Sequence, residues 1–190
     1  MGYGCCMARL VSKEQYFDQG LDVLAHAGFK GLNIGVLCRA LGVTSGSFYH
    51  HFGSWRGFVD ALLAYWEGDQ VRRLREMEFG SGTAESDVEK LRELTLGLHH
   101  RAEAAIRAWG ANDSAVGAVL RRVDDDRRKT VGKAIYGVVG ERTVTTHLTS
   151  LGLAMVVGYQ QLSAAGHADD IAPLVDEFVR LVHSHARVVA

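Results

Sequence analysis

The sequence predicts an all-α protein, and three observations carry that prediction. Apolar residues recur at spacings of three and four along most of the chain, which is the period of an amphipathic helix. A single proline, Pro173, occurs in 190 residues, and proline is the residue that a helix interior tolerates least. No segment alternates apolar and polar residues as a half-buried strand would, apart from the ambiguous pair Val138 and Val139. With 47% apolar residues, the chain can build a substantial core.

Three short helices are expected first, and we call them together the head. Ser12 followed by Gln15 has the form of a capping box, in which each side chain satisfies a free amide at a helix start. The first helix then carries one apolar stripe, made of Phe17, Leu21 and Leu24. Because the stripe stops near Gly28, the helix is expected to end there.

The second and third helices are expected to follow closely, joined by a tight turn. Asn33 is the predicted N-cap of the second helix, and Gly42 marks the turn because glycine tolerates a positive φ. Thr44 is expected to cap the third helix, whose apolar positions Phe48 and Phe52 are four residues apart. The inner face of the second helix is predicted to consist of Ile34, Leu37, Cys38 and Leu41.

From Ser54 onward the pattern predicts long helices, which we call the body. The glycines at 80 and 82 and the glycine at 140 are expected to separate them. The run of charged residues at 124–128 is interpreted as an exposed turn with local ion pairs. The predicted helices cover approximately residues 54–79, 84–110, 113–123 and 141–165, with polar turns between 124 and about 139, followed by a last helix introduced by Gly166 and Asp169.

The segment from Leu32 to Leu63 reads LNIGVLCRALGVTSGSFYHHFGSWRGFVDALL. Four short motifs in this segment are spaced as in a known family. They are a Gly-Val turn at 42–43, a Phe-Tyr pair at 48–49, a His-Phe pair at 51–52 and a Gly-Ser step at 53–54. The segment resembles the DNA-binding head of the TetR family of transcriptional regulators. That resemblance implies a helix-turn-helix DNA-binding domain at 9–53 and a ligand-sensing and dimerisation domain at 54–190.

The expected DNA-reading element is the third helix, which fits the major groove. By resemblance, Ser47, Tyr49 and His51 align with DNA-contacting positions of the family, and Thr44 and Ser45 with its cap and base-edge positions. The alternative is that the hydroxyl side chains only cap the helix and the histidines only face solvent. The full predicted set is Asn33, Thr44, Ser45, Gly46, Ser47, Tyr49, His50, His51 and Arg56.

Two departures from the family pattern bear on this set. Trp55 stands where many relatives have a phosphate-binding lysine, and whether Arg56 supplies the charge instead stays open. Gly35 stands where some relatives have a base-reading arginine, so base readout is expected to depend on the third helix.

The helix at 141–165 is apolar nearly all round, which is typical of a helix buried on two sides. One stripe includes Leu148, Leu151, Met155, Tyr159 and Leu162. The other stripe, together with the last helix, is interpreted as the contact with a second copy of the chain, as TetR-like chains have, although a well-buried monomer core would show the same pattern. The predicted homodimer residues are Leu153, Val156, Val157, Phe178, Leu181 and Val182.

A small-molecule pocket is expected between the head and these helices, mainly because the resemblance implies one. Aromatic and aliphatic side chains of this kind can also be plain core. The predicted lining residues are Leu94, Leu98, Trp109, Tyr136, Met155 and Tyr159. The expected ligand is a small, largely apolar effector of unknown identity, and no cofactor is expected.

Composition and motifs exclude several other classes. A net charge of −1 excludes a globally basic nucleic-acid coat. The chain has no hydrolase elbow, metalloprotease motif, phosphate loop or dinucleotide fingerprint, and its histidines lack metal-ligand spacing. The start of the chain lacks the pattern of a signal peptide, no apolar run reaches a membrane span, and the three cysteines have the pattern of reduced cytosolic thiols.

The sequence therefore predicts a cytoplasmic, sequence-specific DNA-binding regulator that is not an enzyme. Its expected form is a homodimeric repressor on a palindromic double-stranded DNA operator, released when the effector binds. An activator with the same head, and a thiol-switched regulator using Cys38 or the pair Cys5 and Cys6, are the alternatives. An enzyme using Tyr136, Tyr159 or a histidine in a helical pocket is a further, less favoured one.

Overall fold

The computed structural model describes residues 11–76, 79–166 and 170–186, and within these ranges every regular element is an α-helix. The all-α prediction is therefore confirmed. In chain order the helices are α1 Lys13–Gly31, α2 Ile34–Leu41, α3 Ser45–Phe52, α4 Trp55–Glu76, α5 Ala84–Leu96, α6 His100–Gly110, α7 Ser114–Val139, α8 Arg142–Ala164 and α9 Ala172–Ser184. None of the described helices has the length and apolar character needed to cross a membrane.

Helix starts follow the capping residues that the sequence predicts. The Gln15 amide donates to Ser12 Oγ at 3.3 Å, and the Ser12 amide donates to Gln15 Oε1 at 2.9 Å, so the capping box is complete. Asn33 caps α2 and Thr44 caps α3, each by accepting from the amide three residues on. Gly42 ends α2 with a φ of 67°, which confirms the expected left-handed turn.

Three boundaries differ from the expectation. The helix that begins at Lys13 runs on to Gly31, with Gly28 as a non-helical residue inside it. The single helix expected at 84–110 is two helices, because α5 ends at Leu96 with Gly97 as its C-cap and α6 begins at His100. The charged run at 124–128 is not a turn but lies inside α7. Asp169, expected before the last helix, lies outside the described residues.

One hydrophobic cluster joins the head to the body. It includes Tyr16 and Phe48 from the head, Phe58 and Trp66 from α4, and extends to Ile106 on α6. Within the fold, α1 packs most extensively against α6. The boundary between 53 and 54 is therefore not a gap in the packing. A second cluster, formed by α5, α7, α8 and α9, holds the far end of the body together.

A buried polar network connects four helices of the body. Glu103 on α6, only 2% exposed, accepts from both terminal nitrogens of Arg127 on α7 at 2.9 and 2.6 Å. Arg127 also donates to Gln70 Oε1 on α4 at 2.6 Å, and Gln160 on α8 donates to Glu103 at 2.8 Å. Because the charges of Glu103 and Arg127 are paired and hydrogen-bonded, they can remain ionised away from water.

His100 lies beside this network, and its titration should make stability depend on pH. Burial lowers the pKa of His100 below its ordinary value, opposed by the attraction of Glu103 and assisted by the repulsion of Arg127 and His99. Below the ordinary pKa of histidine, the unfolded chain binds a proton at His100 more readily than the folded protein does. The free energy of unfolding therefore decreases as pH falls. We expect the melting temperature of wild type to drop more than that of His100→Phe between pH 7.5 and pH 5.5. Equal drops for both proteins would contradict this assignment.

Candidate nucleic-acid interface and internal cavity

The third helix is held in place by an aromatic cluster beneath it. Phe48 is fully buried, with its ring centroid 5.9 Å from that of Tyr16 and 5.4 Å from that of Phe58. Phe52, one turn later, lies 5.1 Å from Phe58 and 5.3 Å from Tyr16. Because rings from α1, α3 and α4 interlock, the outer face of α3 is presented on a rigid support.

That outer face carries most of the predicted DNA-binding residues. Thr44, Ser45, Gly46, Tyr49 and His50 are all exposed, and Tyr49 is 51% exposed despite its large ring. A Cβ built on Gly46 would meet only the Thr44 hydroxyl, at 3.6 Å, so the fold itself leaves room for a side chain there. Because Gly46 has no side chain, another molecule can approach the backbone of α3 closely at this position.

Two predicted DNA-binding residues, Ser47 and His51, face the interior of the head instead. The Tyr16 hydroxyl donates to Ser47 Oγ at 3.2 Å, and the His51 ring meets Tyr16 edge-on at 5.6 Å. Both residues are half-buried, so each is oriented by Tyr16 while part of its surface stays accessible. Tyr16 is a positioning residue that the sequence analysis counted in no site, because its partners lie more than thirty positions away.

Two further predicted residues, Asn33 before α2 and Arg56 on α4, already have partners. Asn33 accepts from the Val36 amide and donates to the Gly31 carbonyl, so both ends of its side chain serve the cap. Arg56 pairs with Asp60 at 2.9 Å and lies 3.9 Å from Asp113, which offsets the charge expected to replace a phosphate-binding lysine.

Arg39 is a cation near this face that the sequence analysis did not select. It lies exposed on the last turn of α2, directly before the turn into α3, and pairs with no carboxylate among the described residues. A basic residue in the last turn of a helix is also expected from the helix dipole, so its sequence position alone did not distinguish a DNA contact.

A cavity of about 330 Å³ lies in the body between α5, α7, α8 and α9. Three of the six residues predicted to line a pocket do line it, namely Leu94, Leu98 and Met155. Its walls also include three of the predicted dimer residues of α8, Leu153, Val156 and Val157, and the ring of Phe178 on α9.

The other three predicted lining residues lie elsewhere. Trp109 stacks on Phe29 of the head, with ring centroids 6.3 Å apart. Tyr136 is 41% exposed on the outside of α7, because Ile135 takes the inward position next to it. Tyr159 meets His100 edge-on at 5.0 Å and lines a more open cavity between α1, α6 and α8.

The family model for bacterial regulatory proteins of the tetR family matches residues 17–62, which span α1 to α4. This head is a TetR-family DNA-binding domain. The match includes the aromatic support apart from Tyr16, together with the whole outer face of α3, and it agrees with the resemblance seen at 32–63. No curated protein is similar enough in sequence to count as a relative of this chain.

Solved structures extend the TetR likeness to the whole fold. A transcriptional regulator from Rhodococcus sp. Rha1 is 22% identical over 95% of this chain and 100% of its own, with a TM-score of 0.73. A TetR regulator from Legionella pneumophila is 12% identical over 95% and 100%, with a TM-score of 0.75. A regulator from Saccharomonospora viridis in complex with choline is 15% identical over 90% and 93%, with a TM-score of 0.71. At these identities the likeness establishes the fold of the body.

The outward face of α8 is not the one that the sequence predicted. Leu151 and Leu162 are 50% and 54% exposed, whereas Leu153, Val156 and Val157 are half-buried against the cavity. On α9, Val182 is fully buried, so its predicted contact with a second copy is wrong for this residue. Phe178 and Leu181 pack against the same inner cluster as Val182.

An exposed small and apolar stripe therefore remains along α8, because residues four and three apart share one face of a helix. Leu174, on the first turn of α9, is likewise 48% exposed. We call these residues together the outer stripe: Leu151, Ala154, Gly158 and Leu162 on α8, with Leu174 on α9. Ala154 also borders the cavity.

Cys38 in the TetR head is an unsuitable redox switch. Its side chain is buried, and its thiol lies 3.6 Å from the Thr44 carbonyl oxygen. Burial raises the pKa of the Cys38 thiol, which disfavours the reactive thiolate. Cys5 and Cys6, the other thiols named above, lie outside the described residues.

Proposed function

We propose that this chain is a homodimeric transcriptional repressor that binds a palindromic operator and leaves it when a small molecule occupies the body. One observation carries the proposal: a TetR-family head presents Ser45, Gly46, Tyr49 and His50 together on the exposed side of a rigidly supported helix. Residues 9–53 would bind DNA, and residues 54–190 would bind the effector and the second copy. A protein that binds an operator would act in the bacterial cytoplasm, with the DNA.

Readout would occur through the major groove, which admits one α-helix. The hydroxyl of Ser45 and the ring nitrogens of His50 can exchange hydrogen bonds with base edges or phosphates. Tyr49 offers a ring for apolar contact and a hydroxyl for a phosphate. Ser47 and His51 would contribute through the part of their surface that Tyr16 leaves open. Arg39 would contact the DNA backbone beside α3.

The outer stripe supports the dimer. Exposed leucines that line up along one helix are typical of a surface that another protein covers. A second copy is the occupant that fits the operator proposal, because two heads related by a two-fold axis read two halves of a palindrome. We therefore assign the contact to Leu151, Leu162 and Leu174 in place of the inward residues that the sequence favoured.

The cavity supports control by a small molecule. Its volume of about 330 Å³ falls at the lower end of the range for ligand pockets, and its walls are mainly aliphatic. A structural neighbour is in complex with choline, so a protein of this fold can hold a small ligand. A ligand releases DNA only if it favours the conformation whose heads fit the operator poorly.

The test of DNA binding is fluorescence anisotropy with DNA from the region upstream of the protein's own gene, in the presence of scrambled competitor. Saturable binding at two chains per duplex that survives the competitor supports the proposal. Binding that the competitor removes completely, with every upstream fragment tried, counts against it. Transcription in vitro from the bound fragment then distinguishes repression from activation.

Tyr49→Ala should weaken specific binding by about 1–3 kcal/mol, or roughly 5-fold to 150-fold, because a ring at the base edges or phosphates is lost. The fold should be unaffected, since the Tyr49 side chain is largely exposed. Tyr136→Ala removes an equally exposed ring from the body and is the matched control, with unchanged affinity expected. If Tyr49→Ala bound as tightly as Tyr136→Ala, Tyr49 would have no place in the reading surface.

A further inference from the structure

The cavity wall has an uneven distribution of charge. Among the described residues that line it, the cations are Arg92, Arg107, Arg127 and Arg128, and the single anion is Asp124. All of these except Arg92 gather around one turn of α7, together with Ser150 from α8. The opposite walls, from α5, α8 and α9, are mainly aliphatic or aromatic.

Three of the four arginines are already neutralised by carboxylates. Arg107 holds Asp124 through two hydrogen bonds of 2.8 and 3.0 Å. Arg127 is paired with Glu103, as described above, and Arg92 Nε lies 2.6 Å from Asp176 Oδ1 on α9. Asp124 therefore offers no free negative charge to a cationic ligand.

Arg128 is different. It meets no carboxylate within ion-pair distance among the described residues, although Asp124 is four positions before it on the same helix. Its Nη1 donates to the Ser150 hydroxyl at 3.3 Å. Arg128 and Ser150 are both exposed and both line the cavity, so they lie at its mouth. The mouth thus carries one uncompensated guanidinium and a hydroxyl.

We propose that this cavity binds an amphipathic carboxylate, with the apolar chain inside and the carboxylate at Arg128 and Ser150. A guanidinium supplies a planar pair of donors that matches a carboxylate, and such charge-assisted bonds are about twice as strong as neutral ones. The aliphatic walls and Phe178 suit a hydrocarbon chain or ring and offer it no hydrogen-bonding partner. That this ligand is also the effector rests on the proposed function; the binding itself does not.

The experiment is isothermal titration calorimetry on the delipidated full chain without DNA. The probe is decanoate below its micelle concentration, compared with 1-decanol, decyltrimethylammonium and acetate. We expect decanoate to bind, decanol to bind about tenfold more weakly for want of the charge, and the cation and acetate to bind far more weakly still. Decanol as tight as decanoate would overturn the headgroup assignment. Acetate as tight as decanoate, or no decanoate binding at all, would overturn the cavity assignment.

Arg128→Gln should weaken decanoate binding about tenfold and leave decanol binding unchanged. Arg121→Gln is the matched control, because it removes the same charge from an exposed position of α7 that does not line the cavity. Identical decanoate affinities for the two variants would overturn the role of Arg128. Circular dichroism verifies that both variants fold.

Anisotropy with operator DNA separates this inference from the proposed function. Decanoate binding that depends on Arg128, in a protein that binds no specific DNA, would refute the regulator proposal and leave the ligand class established. Specific DNA binding without decanoate binding would do the reverse.

Discussion

Glu103→Gln should lower the free energy of unfolding by about 3–5 kcal/mol. The substitution keeps the shape of the side chain but removes the charge that compensates Arg127, whose side chain is only 12% exposed. A buried cation that has lost its partner costs far more free energy than the intact pair contributes, because nothing then offsets the loss of its hydration. The measurement is chemical denaturation, followed by circular dichroism at one fixed protein concentration, since a dimer's stability depends on concentration.

The double variant Glu103→Leu with Arg127→Met tests the cause. Replacing both charges by apolar side chains of similar size should recover most of the loss, because no unpaired charge then remains. Glu67→Gln is the matched control, since Glu67 accepts two hydrogen bonds from Arg122 in a pair whose side chains are 26% and 56% exposed, against 2% and 12% for Glu103 and Arg127. That control should cost no more than about 1 kcal/mol. Similar losses for Glu103→Gln and Glu67→Gln would refute the argument from burial.

Leu151→Asp should convert the proposed dimer to monomers at micromolar protein concentration. Each copy of a central apolar residue contributes about 2 kcal/mol to such a contact, and two-fold symmetry introduces the change twice. The combined loss of about 4 kcal/mol corresponds to a roughly thousandfold rise in the dimer Kd. Sedimentation velocity across a concentration series measures this shift, and the secondary structure should be retained because Leu151 is half exposed.

Ala108→Asp adds the same charge at an exposed position of α6 and should leave the sedimentation profile unchanged. Val156→Asp distinguishes between the two faces of α8 that could form the dimer contact, since Val156 lines the cavity. It should disturb decanoate binding more than association. A dimer that survives Leu151→Asp but not Val156→Asp would restore the interface that the sequence favoured.

The local features of this fold could be predicted because they depend on a few neighbouring residues. The capping box at Ser12, the caps at Asn33 and Thr44, and the turn at Gly42 each involve partners within five positions. The outer face of α3 could be predicted for the same reason. Once Phe48 faces inward, the helical period places Tyr49 on the outside.

The parts that could not be predicted depend on distant contacts. The charged run at 124–128 has the pattern of a polar turn. In the structure, Arg127 donates hydrogen bonds to residues on α4 and α6, and Asp124 accepts hydrogen bonds from Arg107 on α6. The break at Gly97 was missed because the apolar spacing continues across it to Leu98. On α8, apolar residues occur all round, so periodicity cannot say which stripe faces the cavity and which faces outward.

The hydrophobic cluster that joins head and body has a consequence for how the protein unfolds. Because α1, α3, α4, α6 and α7 share one buried core, the DNA-reading helix cannot melt independently of the body as a separate cooperative unit. All three tryptophans of the sequence, Trp55, Trp66 and Trp109, belong to that cluster or pack against it. Their fluorescence therefore reports on the common core that holds the reading helix, and loss of that core should appear as a single change in tryptophan emission.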